Sequence, residues 1–212
     1  MKVLELGDND LIGRRFNGHD LHVYLRERGI EAEHLVLRKQ SDDDSTYTYG
    51  VSVPEENFTR NLFYNPHFQD CDLCHFHLMH NTPFDFAYLP MISKLKPCVF
   101  TLHDPWLMGG HCVHHFGCRK WETGCHDCEH LDYTFAIEFD NSAFNWQIKK
   151  EAFANSDVAL IVASKWMEAK AEASSILKDK RRYFLPFGLD LAFFNPGDKQ
   201  NRRSEERFSR NA

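Results

Sequence analysis

Short apolar runs alternate with amphipathic stretches along most of the chain. Lys2-Val3-Leu4-Glu5-Leu6 reads as a first strand and Glu33-His34-Leu35-Val36-Leu37 as a second. Between them, from Gly18 to Arg28, Leu21, Tyr24 and Leu25 recur at helical spacing, and Gly29 stands where a left-handed residue ends a helix. The stretch from residue 39 to 70 is weakly patterned, with one aromatic strand candidate at Thr46 to Val53. Further strands are predicted at Asp72 to His77, Pro97 to Leu102, Asp157 to Ala163 and Arg182 to Pro186. Helices are predicted from about Phe84 to Lys94, after Asp140 with Phe144, Ile148 and Ala152 on one face, and after Ser164 with Met167 and Ala171 inward.

The strands are continuous apolar runs more than in–out alternations. That pattern marks a parallel sheet covered on both faces, so the expected fold is a three-layer α/β domain with a mainly parallel sheet over residues 1–196. Ligands of such sheets bind beyond the carboxyl ends of the strands. The segments to search are therefore the loops after Leu6, His77, Leu102 and Pro186. Residues 197–212 hold five Lys or Arg and three acids with little to bury, and read as a polar tail.

Composition narrows the function. The 212 residues carry a net charge of −6, which argues against a nucleic-acid partner. Eighteen Phe allow a substantial core. No apolar run approaches the roughly 20 residues that span a bilayer, and the first residues turn acidic too soon for a signal peptide. The expected location is the cytoplasm.

Seven Cys in such a compartment point to metal more than to a disulfide scaffold. Residues 103–130 make a connection far longer than the usual roughly 4–6 residues. They carry Cys112, Cys118, Cys125 and Cys128, the last two as a Cys-x2-Cys knuckle suited to tetrahedral structural zinc. In that expectation the metal replaces a core the loop cannot build. Unligated thiols and disulfides are the alternatives. Cys71-x-x-Cys74-His75 spells a haem-attachment sequence, but inside a predicted buried strand these Cys read as small apolar residues.

The order of motifs adds a resemblance. Thr101-Leu102-His103-Asp104-Pro105-Trp106, Gly110-His111-Cys112, Gly117-Cys118, Trp121 and Thr123-Gly124-Cys125 resemble bacterial family 4 glycosyltransferases of exopolysaccharide and colanic-acid-type synthesis. Ala163-Ser164-Lys165-Trp166-Met167 is similar to that family's strand-to-helix junction. Leu185 to Asp190 with Phe194-Asn195-Pro196 is similar to its hinge. The resemblance implies the N-terminal, Rossmann-like half of a GT-B fold. It also implies a retaining, hexosyl-type transfer from a nucleotide-sugar donor to a glycan or lipid-linked acceptor. The family's Glu-x7-Glu signature belongs to the other half, and no two Glu here are so spaced. The expectation is a truncated or split enzyme whose donor-binding domain is absent or separate, and which is inactive alone.

The resemblance places the transferred sugar against His103. Asp104 either orients that imidazole or caps the following turn. Gly13, Arg14 and Arg15 lie where the family's first loop approaches the donor phosphates. His77, His80 and Asn81, beyond a strand end, are candidates to face the acceptor. The rival function class is a non-catalytic, zinc-stapled α/β binding module.

Overall fold

The computed structural model describes residues 1–49, 58–133, 136–188 and 191. Seven strands form one sheet: β1 (Lys2–Asn9), β2 (Glu31–Arg38), β3 (Thr46–Thr48), β4 (Leu73–Phe76), β5 (Cys98–Leu102), β6 (Val158–Val162) and β7 (Arg181–Phe184). Their order is β3-β2-β1-β4-β5-β6-β7 and every neighbouring pair is parallel. The chain therefore builds outward from β1 in one direction and then returns to build from β4 in the other. That reversal opens a crevice between β1 and β4 at their carboxyl ends, where sheets of this Rossmann-like type bind ligands.

Helices α1 (His19–Glu27), α2 (Phe58–Leu62), α3 (Pro66–Asp70), α4 (Leu89–Leu95), α5 (Ser142–Ala154) and α6 (Lys165–Ala173) flank the sheet. Gly29, at φ 77, ends α1 as expected, with Gly29 N–H on Arg26 O and Ile30 N–H on Leu25 O. Ser164 Oγ accepts the Met167 N–H at the start of α6. The helix expected over Phe84 to Lys94 begins later, because a 3₁₀ turn at Phe86–Tyr88 precedes Pro90 in the first turn of α4. The latter part of the Thr46 to Val53 candidate, the hinge residues 189, 190 and 194–196, and the tail 197–212 lie outside the described residues.

One sheet face is apolar. Leu4, Leu6, Cys74, Phe76, Phe100, Leu102, Leu160 and Val162 are buried, and Phe76 stacks on Phe100 with centroids 4.5 Å apart. Each such side chain contributes about 1.5–3 kcal/mol on burial. The other face departs from the expected apolar runs. Parallel register sets His34 beside Glu5 and Glu5 beside His75, and all three are buried.

This polar layer explains why α1 turns the opposite way from expectation. Leu21 and Tyr24 are exposed, while His19 and His22 pack inward, within 5.8 Å and 5.4 Å of the His34 ring. The contact is ring against ring, and His22 is satisfied by His19 O, Asp43 and Ser45. In α5 Ala152 is buried and Ile148 packs against the core as expected, but Phe144 is exposed and Trp146, Lys149 and Phe153 also point inward.

Residues 103–130 also correct an expectation. They pack Leu107, Met108 and Trp121 into the main core, and Trp146 Nε1 donates to Trp121 O at 3.3 Å. Lys149 Nζ, buried, donates to Trp106 O and Gly109 O at 2.8 and 2.9 Å. The connection thus has hydrophobic anchors of its own.

Candidate functional site

The site grows from period-two alternation in β1 and β4. Glu5 faces His75 across the parallel pair, and His77, two residues on, emerges on the same side. Glu5 Oε2 lies 2.9 Å from His75 Nδ1 and 2.7 Å from His77 Nε2. The other nitrogen of His75 meets Thr101 Oγ1 at 2.7 Å. The other nitrogen of His77 meets His103 Nε2 at 3.0 Å. A line of polar contacts therefore runs from the centre of the sheet to the carboxyl end of β5.

Gly18 closes this line from above. Its φ is 97, and a Cβ there would stand 2.9 Å from His77 and 3.0 Å from Glu5. Only glycine satisfies both the left-handed backbone and the contact.

The electrostatics follow from burial and partners. Burial alone would raise the Glu5 carboxyl, but the charges and hydrogen bonds of His75 and His77 outweigh it and hold Glu5 at about 2. Burial lowers His77, with the charge of His75 acting in the same direction. Burial, then the charges of His77, His75 and His80, push His103 down to about 2. His80 goes the other way: burial opposes its charge, yet the hydrogen bond and charge of Asp104 raise it. A neutral imidazole and a charge-favouring one thus stand side by side.

Asp104 fills the capping role considered for it, and its other oxygen pairs with a histidine other than His103. Its Oδ1 accepts the Trp106 N–H at 2.8 Å, capping the turn, and its Oδ2 holds His80 Nε2 at 3.0 Å. The imidazole it orients is His80, not His103. Asn81 Nδ2 donates to Asp8 Oδ2 at 3.0 Å, which draws the end of β1 into the same cluster. His77 is buried behind His103 with both ring nitrogens engaged. A cavity of about 20 Å³, lined by His77, His80, His103, Asp104 and Trp106 among others, sits at this edge.

The first loop borders the site through Phe16, whose ring meets His103 edge-on at 5.7 Å. Phe187 stacks on the other side at 5.2 Å and 10°. Gly13 is left-handed at φ 68. Arg14 Nε pairs with Asp20, and Arg15 donates to Gly188 O at 3.3 Å. These contacts tie the loop to the segment after β7.

The four loop cysteines gather elsewhere. Cys112, Cys118, Cys125 and Cys128 are free thiols lining one cavity of about 280 Å³ together with His111 and His115. His111 Nε2 lies 3.5 Å from Cys112 Sγ and 3.4 Å from Cys128 Sγ. Burial, then the neighbouring thiols of Cys128, Cys125 and Cys118, push the Cys112 thiol up to about 11. Cys71, Cys74 and Cys98 are buried, as expected for small apolar residues. Among the described residues, one group of three ligand-type side chains has its donor atoms within 4.8 Å of one another: Glu5, His75 and His77, which could hold a metal.

Sequence reasoning placed His77, His80, Asn81, His103 and Asp104 in one neighbourhood, and the structure brings them together. It missed Glu5, Thr101 and Asp8. The available signal was a lone carboxylate inside the apolar run Val3-Leu4-Glu5-Leu6.

No model of a known protein family matches the chain. Over 75 residues the chain is 32% identical to WcaC of Escherichia coli (strain K12), provisionally named a colanic acid biosynthesis glycosyl transferase. The match covers 32% of this chain and 18% of that protein, a distant and partial similarity. No helix among the described residues is long and apolar enough to cross a membrane.

Proposed function

We propose that this chain is the acceptor-side half of a retaining glycosyltransferase that uses a nucleotide-sugar donor and a glycan or lipid-linked acceptor. The observation that carries the reading is the placement of His103. It stands at the carboxyl end of β5, beside the crevice where strand order reverses, and is held neutral next to His80 and Asp104. The partial similarity to a glycosyl transferase supports it.

The transfer passes through a transition state with oxocarbenium character. That chemistry needs the sugar held in place and the departing phosphate stabilised. His103 holds the sugar and Asp104 fixes His80 beside it. His80 and Asn81 border the acceptor. Gly13, Arg14 and Arg15 receive the donor phosphates, on a loop that Phe16 ties to His103. The donor nucleotide itself belongs to a second Rossmann-like domain, carried on a separate or continuing polypeptide.

A second reading is favoured by the cysteine-lined cavity, which is distinct from the His103 cluster. In it, Cys112, Cys118, Cys125 and Cys128 bind structural zinc and the domain serves as a binding module without chemistry of its own. A cation among the thiols would remove the like-charge part of the penalty that, after burial, raises Cys112, although among the described residues no three donor atoms of this loop lie within 4.8 Å of one another.

The two readings separate in a transfer assay. The chain is combined with a donor-binding domain and offered a panel of nucleotide sugars and a lipid-linked acceptor. Transfer with retained anomeric configuration is expected, and His103→Ala should lower turnover about 100-fold or more. The isolated chain should show little transfer. Turnover insensitive to His103→Ala refutes the catalytic reading.

A further inference from the structure

The contacts around Glu5 fix more than positions; they fix protons. A carboxylate oxygen can only accept, so His75 Nδ1 and His77 Nε2, at 2.9 and 2.7 Å from Glu5 Oε2, must both donate. A neutral imidazole carries one N–H, which leaves the other nitrogen of each ring bare. On His75 that bare Nε2 accepts the Thr101 hydroxyl at 2.7 Å. On His77 the bare Nδ1 stands 3.0 Å from His103 Nε2, and one proton must lie between them. His103 has to supply it. His103 Nδ1 is then a lone pair, and it is buried without a hydrogen-bond partner among the described residues.

We propose that Glu5, acting through His77, fixes His103 as the Nε2–H tautomer, so that its Nδ1 is a hydrogen-bond acceptor for a neutral hydroxyl donor and disfavours an anion. Glu5 and His77 are thus positioning residues. The assignment of the hydroxyl to a sugar rests on the glycosyltransferase reading above, whereas the proton pattern does not. A buried acceptor left unpaired costs about 1–3 kcal/mol, which an arriving hydroxyl offsets. The cavity of about 20 Å³ beside His103 and Asp104 has the size of one such group. A phosphate oxygen, which also only accepts, finds no donor on this nitrogen.

A metal ion held by Glu5, His75 and His77 predicts the reverse pattern. Ligating nitrogens are unprotonated, which puts the protons on His75 Nε2 and His77 Nδ1. His77 then donates to His103, whose own proton moves to Nδ1. The separations of 2.7 and 2.9 Å are those of hydrogen bonds. Donors about 2.0–2.2 Å from a tetrahedral zinc stand roughly 3.3–3.6 Å apart.

Two-bond proton–nitrogen correlation spectra of the ¹⁵N-labelled full chain at pH 7.5 read every tautomer directly. The expected spectrum shows His77 and His103 as Nε2–H and His75 as Nδ1–H. His103 as Nδ1–H overturns the proposal, and if His77 shares that pattern it assigns the triad to a metal instead. Glu5→Gln, with far-UV circular dichroism retained, should release an Nδ1–H population of His103. An unchanged tautomer in that folded variant reduces Glu5 to a packing role and refutes the relay. Thr101→Val breaks only the His75 branch and should leave His103 as it was, and a changed His103 tautomer in that variant refutes the assignment of the relay to His77. Methyl glucoside, as the hydroxyl probe, should shift the His103 Nδ1 resonance, and sulfate, an anion without a proton to donate at this pH, should not. A missing glycoside response, or a sulfate response, refutes the ligand class. Because the tautomers are read without sugar transfer, failure of the relay and failure of the enzymatic reading are separate results.

Discussion

Lowering the pH tests the buried imidazoles as a stability feature. His34 is buried in the sheet, with Nε2 2.9 Å from Asn17 O. Burial foremost, then the charge of His22, pushes it down to about 3. His103 is held at about 2. In the unfolded chain both titrate near 6.5, at about the ordinary histidine value. Between pH 5 and 6 the folded protein therefore leaves both rings neutral while the unfolded chain protonates them. The unfolded state binds more protons, so stability falls as pH drops below about 6.5.

At pH 5 each ring costs about 2 kcal/mol, and the pair about 4 kcal/mol, against a typical domain stability of about 5–15 kcal/mol. The corresponding slope is about 2.7 kcal/mol per pH unit. Burial also pushes His115 down to about 3 and lowers His19 and His77, which act in the same direction, so the two rings set a lower bound on the slope. His80, raised by Asp104, changes stability with the opposite sign above about pH 6.5. Glu5, depressed by its imidazole partners, loses its contribution mainly below about pH 4.5. Urea unfolding followed by tryptophan fluorescence at steps from pH 7.5 to 5 measures the slope. His34→Gln should reduce it by about 1.4 kcal/mol per pH unit. A wild-type slope under that value, or no change in the variant, means the rings accept protons while folded and refutes the reasoning.

Three further outcomes are expected. Gly18→Ala places a Cβ against His77 at a left-handed φ and should destabilise by about 1–3 kcal/mol in urea titrations. Lys149→Met leaves the Trp106 and Gly109 carbonyls without their buried donor and should cost about 2–5 kcal/mol, read as a lower unfolding midpoint and faster proteolysis within residues 103–130. If the loop cysteines bind zinc, elemental analysis of protein purified without chelator should find about one metal per chain. Cys125→Ser should release that metal and Cys98→Ser should not; a metal-free wild type removes zinc from the reading.

The parallel sheet was legible because apolar runs of strand length alternated with helical spacing, and each strand appears within a few residues of its expected place. The site was half legible. His77, His80, Asn81, His103 and Asp104 follow directly from the rule that such sheets bind at their carboxyl ends. Glu5 lies beneath that edge, in a strand interior where a pattern of burial carries no information about partners 70 residues away. The orientation of α1 was misread for the same reason. Leu21 and Tyr24 look like the inner face of a helix until the surface below is known to be His34 and Glu5. The long loop looked unable to build a core because its apolar residues, Leu107, Met108 and Trp121, are isolated along the chain and meet only when folded onto α5.

The alternation of β1 has one more consequence, for assembly of the chain. Leu4 and Leu6 face the phenylalanine layer while Glu5 faces the imidazoles. A slip of β1 by a single residue against β2 or β4 exchanges these faces and drives a carboxylate into hydrocarbon and leucines against histidines. An all-apolar strand would pay little for that error, since either face would be equally greasy. Here the misaligned sheet is penalised on both sides at once, so the buried polar row acts as a proofreading mark that selects one strand alignment from its near neighbours.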